Sequence, residues 1–470
     1  MTPRGVLAFC REKEVRVIDL RFTDVFGQWH HITIPVRQLT EATFENGCRI
    51  DACQIALNGS FNRLAIPQSS TAFLDTSAVT TTLVMICTIQ DALTREEDLL
   101  DPRVIAQRAV DFLAITGIAD EARIAPQCEF YWFQSARFAV ADSHTSYSIV
   151  EVGSSGDASN SSDQNLRRTD DDVSDVGFQA RNQITESLED IGFPIATHHQ
   201  ANSTGSKCRI DFVATNLVRA ADAVMSLKHV ARRVAQNQHR SVTFMPKPIA
   251  SDVGASLNVQ LSLWKNDEPV FGGQGYGGLS EIAIMAIGGI LHHRKALAAI
   301  CNSTTNSYRR LNSANGPLFQ AGYSSSSQLA ACRIPSHATN PKSKRIEVGF
   351  ADASANPYLA FAAIVMAAID GIQNKLDPGK PLEKLVAVKA EVNKADSNKA
   401  ENSDRSEDGR FPKSLWESLD HLKQDQAFLL EGDVFSTEML DRWIGHKENA
   451  ERKALESHAT PSEYLHYFNG

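Results

Sequence analysis

The sequence predicts a fold that mixes strands with helices, on three observations. Leu257, Val259, Leu261 and Leu263 alternate with Asn258, Gln260 and Ser262, which describes a strand with one apolar and one polar face. Residues 15 to 35 read as a β-hairpin that turns at Phe26-Gly27. Asp101-Pro102 and Asn356-Pro357 each join a capping side chain to a first-turn proline, the start of a helix. The chain of 470 residues has room for one large domain and a smaller one, and 42% apolar residues suffice for a sizeable core. A net charge of −9 argues against a nucleic-acid or anionic-membrane partner, since either selects a basic face. The apolar run Val6 to Cys10 is shorter than the core of a signal peptide. The longest such run, Ala360 to Ile369, falls far short of the roughly 20 residues that span a bilayer. Eight cysteines without CxxC spacing read as reduced thiols of a cytoplasmic protein, not as a disulfide framework or a zinc site.

In chain order, the hairpin sets Val15, Val17 and Asp19 on one face and Ile18 and Leu20 on the other, with Ile32 and Ile34 on the return strand. Asp51, alone after a short strand, reads by itself as a turn cap. The helix from Asp101 buries Ile105, Ala109, Phe112 and Leu113 and stops at Gly117. We place a domain boundary just before it, giving domains 1–100 and 101–470. Ala125 to Phe133 reads as a strand. Residues 139–176, rich in Ser and Asp, read as a mobile loop. Helices are expected from Phe178 to Ile191, closed by Gly192, and from Leu217 to Gln236. The two prolines of Phe244-Met245-Pro246-Lys247-Pro248 keep that stretch extended, and Gly254-Ala255-Ser256 is small enough for a ligand to approach the backbone. Taken alone, the polar side of the 257–263 strand would face water. A long helix is expected from Ser280 toward Ala299, and another from Pro357 to Ile372. Residues 376–412 read as a solvated loop, and Trp416 onward as helices.

FMPKP, the glycine turn and the strand LNVQLSL resemble the type I glutamine synthetase family, where the strand has the form GMHCHMSL. VRVIDLRFTDVFGQWHHITIP is similar to the family's opening. NSTTNSYRRL and KSKRIEVGFADASANPYL are further strong matches, and SHATPSEYLHYFNG is similar to its C-terminal segment. The resemblance implies an α+β fold with an N-terminal β-grasp-like domain and a C-terminal catalytic domain built on a strongly curved antiparallel sheet. It implies a double hexameric ring, a dodecamer, with the active site between adjacent subunits. The family reaction joins ammonia to glutamate through γ-glutamyl phosphate, using ATP and two Mg or Mn ions.

The same resemblance assigns roles. Asp51 takes a proton from ammonium, and Arg345 belongs to the catalytic frame. Gly254, Arg310 and Arg333 contact glutamate, and Ser262 and Lys342 lie near ATP. The ligands of one ion fall on Glu129, Gln200 and either Cys208 or Arg209. An insertion leaves that last choice open, and Arg209 is preferred because KCRIDF then matches the following strand. The ligands of the other ion fall on Gln127, Asn258 and Glu347. Only Glu129 and Glu347 remain carboxylates, and the family histidine at Asn258 is gone. The acid of the closing flap falls on Gly316, and three family arginines fall on Ser326, Gln328 and Gly349. Magnesium prefers carboxylate oxygens. At an effective dielectric near 20, each lost charge at about 4 Å removes up to ~4 kcal/mol of attraction before solvation costs. The ion sites are therefore expected to bind weakly or not at all. Arg209 is expected to pair with Glu129 in an ion's place, because a buried carboxylate needs a partner; the alternative is an Arg209 exposed on a loop. Two functions follow. One is an impaired or inactive paralogue that senses glutamate or nucleotide, or joins an intact glutamine synthetase in a mixed ring. The other is an active glutamate–ammonia ligase, or related γ-glutamyl ligase, with weakened metal sites.

Overall fold

The computed structural model describes residues 1–50, 62–75, 78–141, 144–152, 175–201, 207–312, 319–382 and 410–457. Asp51 and Gly316 lie outside the described residues, as do 153–174 and 383–409 of the two polar segments.

The chain opens with α1 (Pro3–Glu12), a helix not among those expected. Its signal was Thr2-Pro3: the Thr2 hydroxyl accepts from Gly5 N–H at 3.2 Å, and proline occupies the first turn. The expected hairpin follows as β1 (Val17–Thr23) and β2 (Trp29–Pro35), paired from Val17↔Pro35 to Thr23↔Trp29. Gly27 makes the turn at φ +79°, and there is little room for a side chain, because a Cβ would lie 3.0 Å from Asn356 Cα. After α2 (Glu41–Asn46) come β3 (Cys48–Ile50), β4 (Arg63–Pro67), β5 (Phe73–Leu74) and β6 (Thr82–Asp91). The sheet order is β2-β1-β6-β4-β3, with β5 also on β6; β1 and β6 run parallel. Ile18, Leu20 and Phe22 on the inner face join Val6, Leu83 and Met85 in one core.

The second sheet is larger. It follows α3 (Pro102–Ile115), whose cap is as expected: Asp101 Oδ1 accepts from Arg103 N–H at 2.9 Å. Its strands are β7 (Glu121–Ala141), β8 (His144–Glu151), β9 (Ile195–Gln200), β10 (Lys207–Phe212), β11 (Thr215–Asn216), β12 (Ser241–Thr243), β13 (Leu257–Lys265), β14 (Glu268–Pro269), β15 (Gln320–Ser324), β16 (Ala330–Arg333) and β17 (Ile346–Val348). The order is β15-β16-β17-β13-β7-β10-β9, with β8, β11 and β12 on β7 and β14 on β13. Only the β15–β16 pair is parallel among the described strands of this sheet. The α+β class is the one found.

Helices cover the sheet's apolar side: α4 (Phe178–Asp190), α5 (Leu217–Asn237), α6 (Glu281–His292), α7 (Arg294–Cys301), α8 (Thr305–Leu311) and α9 (Pro357–Gln373). The C-terminal helices are α10 (Leu415–Gln424), α11 (Ala427–Leu430), α12 (Thr437–His446) and α13 (Arg452–Glu456). The helix α9 is apolar on nearly every side and packs against α3, α5, α6 and α7, so it forms the centre of the core. Asn356 caps it by accepting from Tyr358 N–H at 3.1 Å, and its amide donates to Asp24 O and Val25 O, tying the first hairpin to the second sheet's helices. Cys128, Phe130, Leu257, Val259, Leu261 and Leu263 face this core. Their alternates are left for the opposite, polar face.

Two expectations are corrected. Residues 139–141 and 144–151 are not loop: β7 continues to Ala141 and pairs antiparallel with β8, with Phe138 opposite Tyr147. The Ser- and Asp-rich average of the whole segment concealed that local alternation. The long helix toward Ala299 is two helices, α6 and α7, bent by 74°. His293 sits at the break, held between Asp370 and Asp425 and stacked on Phe428 with ring centroids 3.9 Å apart. No single helix among the described residues is long and apolar enough to cross a membrane.

Candidate functional site

The polar face of the large sheet is assembled by strand register. Asp211 of β10, Gln127 of β7 and Asn258 of β13 lie directly opposite one another and form one row. His199 of β9, Arg209 of β10 and Glu129 of β7 form the next. Gln260 of β13, Glu347 of β17 and Arg333 of β16 form a third. The period of two makes this possible: residues 127 and 129, 207, 209 and 211, and 258 and 260 each share a face. Asn258 and Gln260 are buried, at 5% and 8% exposure, so the polar side of β13 does not simply meet water.

Register separates the two candidates for the third ligand of the first ion. Cys208 turns into the core with Ile210 and Phe130, and burial raises its thiol pKa to about 11 although Arg181 Nη1 donates to the sulfur at 3.7 Å. Arg209 lies on the polar face, in the row of Glu129. Gln200 stands opposite Cys208 rather than Arg209, so His199, not Gln200, shares the row of Arg209 and Glu129. Burial, then Arg209, lowers the pKa of His199.

The expected Arg209–Glu129 pair is not formed. Arg209 instead forks onto Asp211, Nε to Oδ1 at 2.6 Å and Nη2 to Oδ2 at 3.0 Å. Asp211 also accepts from Gln127 Nε2 at 3.1 Å and from Thr197 Oγ1 at 3.3 Å. The cation beside Glu129 is Lys207, whose Nζ lies 3.6 Å from Oε2 and donates to Gly254 O at 2.9 Å. Glu129 Oε2 accepts further from Ser256 N–H at 2.9 Å and Ser256 Oγ at 3.1 Å. The physical reason is reach. Asp211 is on Arg209's own strand and face, where a two-pronged fork closes. The long stem of Lys207 runs under the turn toward Glu129 and Gly254. The motif Lys207-x-Arg209-x-Asp211 carried this signal, because alternation puts all three on one face with Glu129.

The second surviving carboxylate, Glu347, is likewise engaged. Arg333 pairs with it, and Gln260 Nε2 donates to Oε2 at 3.2 Å. Arg345 Nε donates to Gln260 Oε1 at 2.7 Å, so Arg345, Gln260, Glu347 and Arg333 form a chain. At Gly349, where the family carries an arginine, a Cβ would lie 3.3 Å from the Phe319 ring and 3.4 Å from Arg333 Nη2, so these two side chains already fill the position. Gly254 makes its turn at φ +91°, and a Cβ would fall 2.5 Å from Pro246 O and 2.8 Å from Arg310 Cγ. Arg310 is buried behind this turn on α8, bonded to Phe350 O and, at 2.9 Å, to Ala351 O; burial lowers its pKa. Ser262 Oγ accepts from Trp264 Nε1 at 3.0 Å, and Lys342 pairs with Glu268 at the surface.

These residues do not fit a pair of divalent ions. Among the described residues no group of three His, Cys, Asp or Glu side chains is placed to hold a metal. The two kept carboxylates are each neutralised by a cation of the chain itself. Elsewhere, a cavity of about 400 Å³ between the first sheet and α4–α5 is lined by Arg21, Trp29, Asp75, His229 and Arg233, and holds none of the residues above.

Comparison with known proteins gives a consistent result. The family model described as "Glutamine synthetase, beta-Grasp domain" matches residues 14–92, and "Glutamine synthetase, catalytic domain" matches residues 99–467. The glutamine synthetase of Aquifex aeolicus (strain VF5) is 39% identical over 479 residues, spanning 100% of this chain and 99% of that protein. That of Nostoc sp. is 36% identical over 487 residues, again spanning 100% and 99%. The Plasmodium falciparum glutamine synthetase structure superposes with a TM-score of 0.86 at 24% identity over 99% of both chains, a likeness of fold.

Proposed function

The chain belongs to the glutamine synthetase family, and we propose that it is a member whose ligase reaction is impaired or lost, retained to sense glutamate or nucleotide or to join an intact glutamine synthetase as a subunit. The family works with ATP and divalent metals. The observation that carries the proposal is the occupation of both kept carboxylates by internal cations, Lys207 beside Glu129 and Arg333 on Glu347. A divalent ion entering there meets neutralised oxygens and two positive side chains, so its attraction is largely cancelled.

The remaining assignments are part of the same proposal. Asp51 and Arg345 take the catalytic positions, Gly254, Arg310 and Arg333 the glutamate contacts, and Ser262 and Lys342 the nucleotide contacts. The chain divides into domains 1–100 and 101–470, works in the cytoplasm, and assembles as a double hexameric ring or in a mixed ring. Native mass spectrometry of the purified chain, alone and with an intact family member, tests the assembly.

A second reading, a working ligase, is favoured by 39% identity along the full length to a glutamine synthetase and by the kept Arg310 and Arg345. ADP release from ATP with glutamate, ammonium and magnesium decides between them. Turnover within about a hundredfold of an intact relative defeats the proposal.

A further inference from the structure

We propose that the polar face of the large sheet binds the phosphates of a nucleotide directly, without a divalent cation, because Lys207, Arg209 and Arg333 occupy the ground that cations would hold. The inference deepens the proposed function and rests on it. Four cations, Lys207, Arg209, Arg333 and Arg345, share this face with three carboxylates, Glu129, Asp211 and Glu347. The formal balance is positive even before the buried Arg310 is added. A family member with carboxylates at these positions has the opposite sign and needs metal to admit a polyphosphate. Here a metal–nucleotide complex brings its cation into positive surroundings, whereas the free nucleotide brings only negative charge and strong acceptors.

The donors are placed for it. Arg209 spends Nε and Nη2 on Asp211, which leaves Nη1 uncommitted among the described residues. Arg333 Nε has no hydrogen-bond partner among the described residues. A guanidinium fork suits phosphate oxygens and stays charged at every working pH.

Isothermal titration calorimetry of the full chain with ATP tests this, once in EDTA and once in excess magnesium chloride. The expected result is binding in EDTA that weakens in magnesium, with inorganic tripolyphosphate in EDTA competing for the same site. Arg209→Gln together with Arg333→Gln should weaken metal-free ATP binding by about tenfold or more, with the thermal midpoint measured alongside to show that the variant folds. A reverse variant, Gln127→Glu with Arg209→Glu, should lose binding in EDTA and gain manganese binding, read by the manganese EPR signal. ATP binding that requires magnesium, no binding in EDTA, or binding indifferent to the Arg209 and Arg333 changes would each overturn the inference. None of those results bears on turnover. ADP release with magnesium would instead overturn the proposed function, so the two failures are distinguishable.

Discussion

Replacing Lys207 with methionine keeps most of the buried stem and removes only the ammonium. The side chain of Lys207 is 4% exposed and that of Glu129 13%. Breaking a buried pair from one side costs roughly 3–5 kcal/mol, because the other charge is left uncompensated. Two donors from Ser256 remain on Glu129, which should reduce that to ~2 kcal/mol, and Gly254 O loses a donor worth about 1 kcal/mol. The variant should therefore lose ~2–3 kcal/mol, a fall in thermal midpoint of about 2–3 °C for a chain of this length. Differential scanning calorimetry reads it, and midpoints are compared because a chain of this size need not unfold in one step. Adding Glu129→Gln should restore at least ~1 kcal/mol, since a neutral amide needs no cation. A single variant within about 1 °C of the parent, or a double variant whose losses simply add, would refute the view that Lys207 neutralises Glu129.

Three further outcomes are expected. Burial opposes the charge on His293, but hydrogen bonds from it to Asp425 and Asp370 prevail and its pKa is raised; the stability it contributes is complete below its unfolded pKa of about 6.5 and lost as pH rises through the folded value. His293→Leu should flatten the decline in thermal midpoint above pH ~6.5. At His229, burial and then Arg21 lower the pKa to about 4, so the neutral ring is favoured and stability is lost as pH falls from the unfolded value toward 4. His229→Gln should remove up to ~2 kcal/mol of that acid sensitivity, measured by urea midpoints across this range. Gly254→Ala forces a side chain into a φ of +91° and against Pro246 O. It should cost ~2–4 kcal/mol, visible as reduced thermal stability; an unchanged midpoint would mean that the turn relaxes freely.

Much of the fold was legible in short patterns. Asp101-Pro102 and Asn356-Pro357 start helices where their caps place them, and Gly117 and Gly192 follow helix ends at φ +69° and +88°. These are local effects, settled by a few neighbouring residues. The pairing of β7 with β8 and the break at His293 were not legible. The first was hidden by averaging composition over a longer segment. The second depends on Asp370 and Asp425, far along the chain, capturing one imidazole.

The site divides in the same way. Alternation along β13 marked Asn258 and Gln260 as sharing one face, because a pleated strand sends successive side chains to opposite sides, whereas the choice between Cys208 and Arg209 stayed open until the register of β10 against β7 set Arg209 beside Glu129. It could not determine which carboxylate each cation takes. Arg209 chose Asp211, and Lys207 came to Glu129 through a contact with Gly254 O. Long flexible side chains reach several partners from one backbone position. Only the packed arrangement of β7, β10 and the Gly254 turn makes one pairing better than the others.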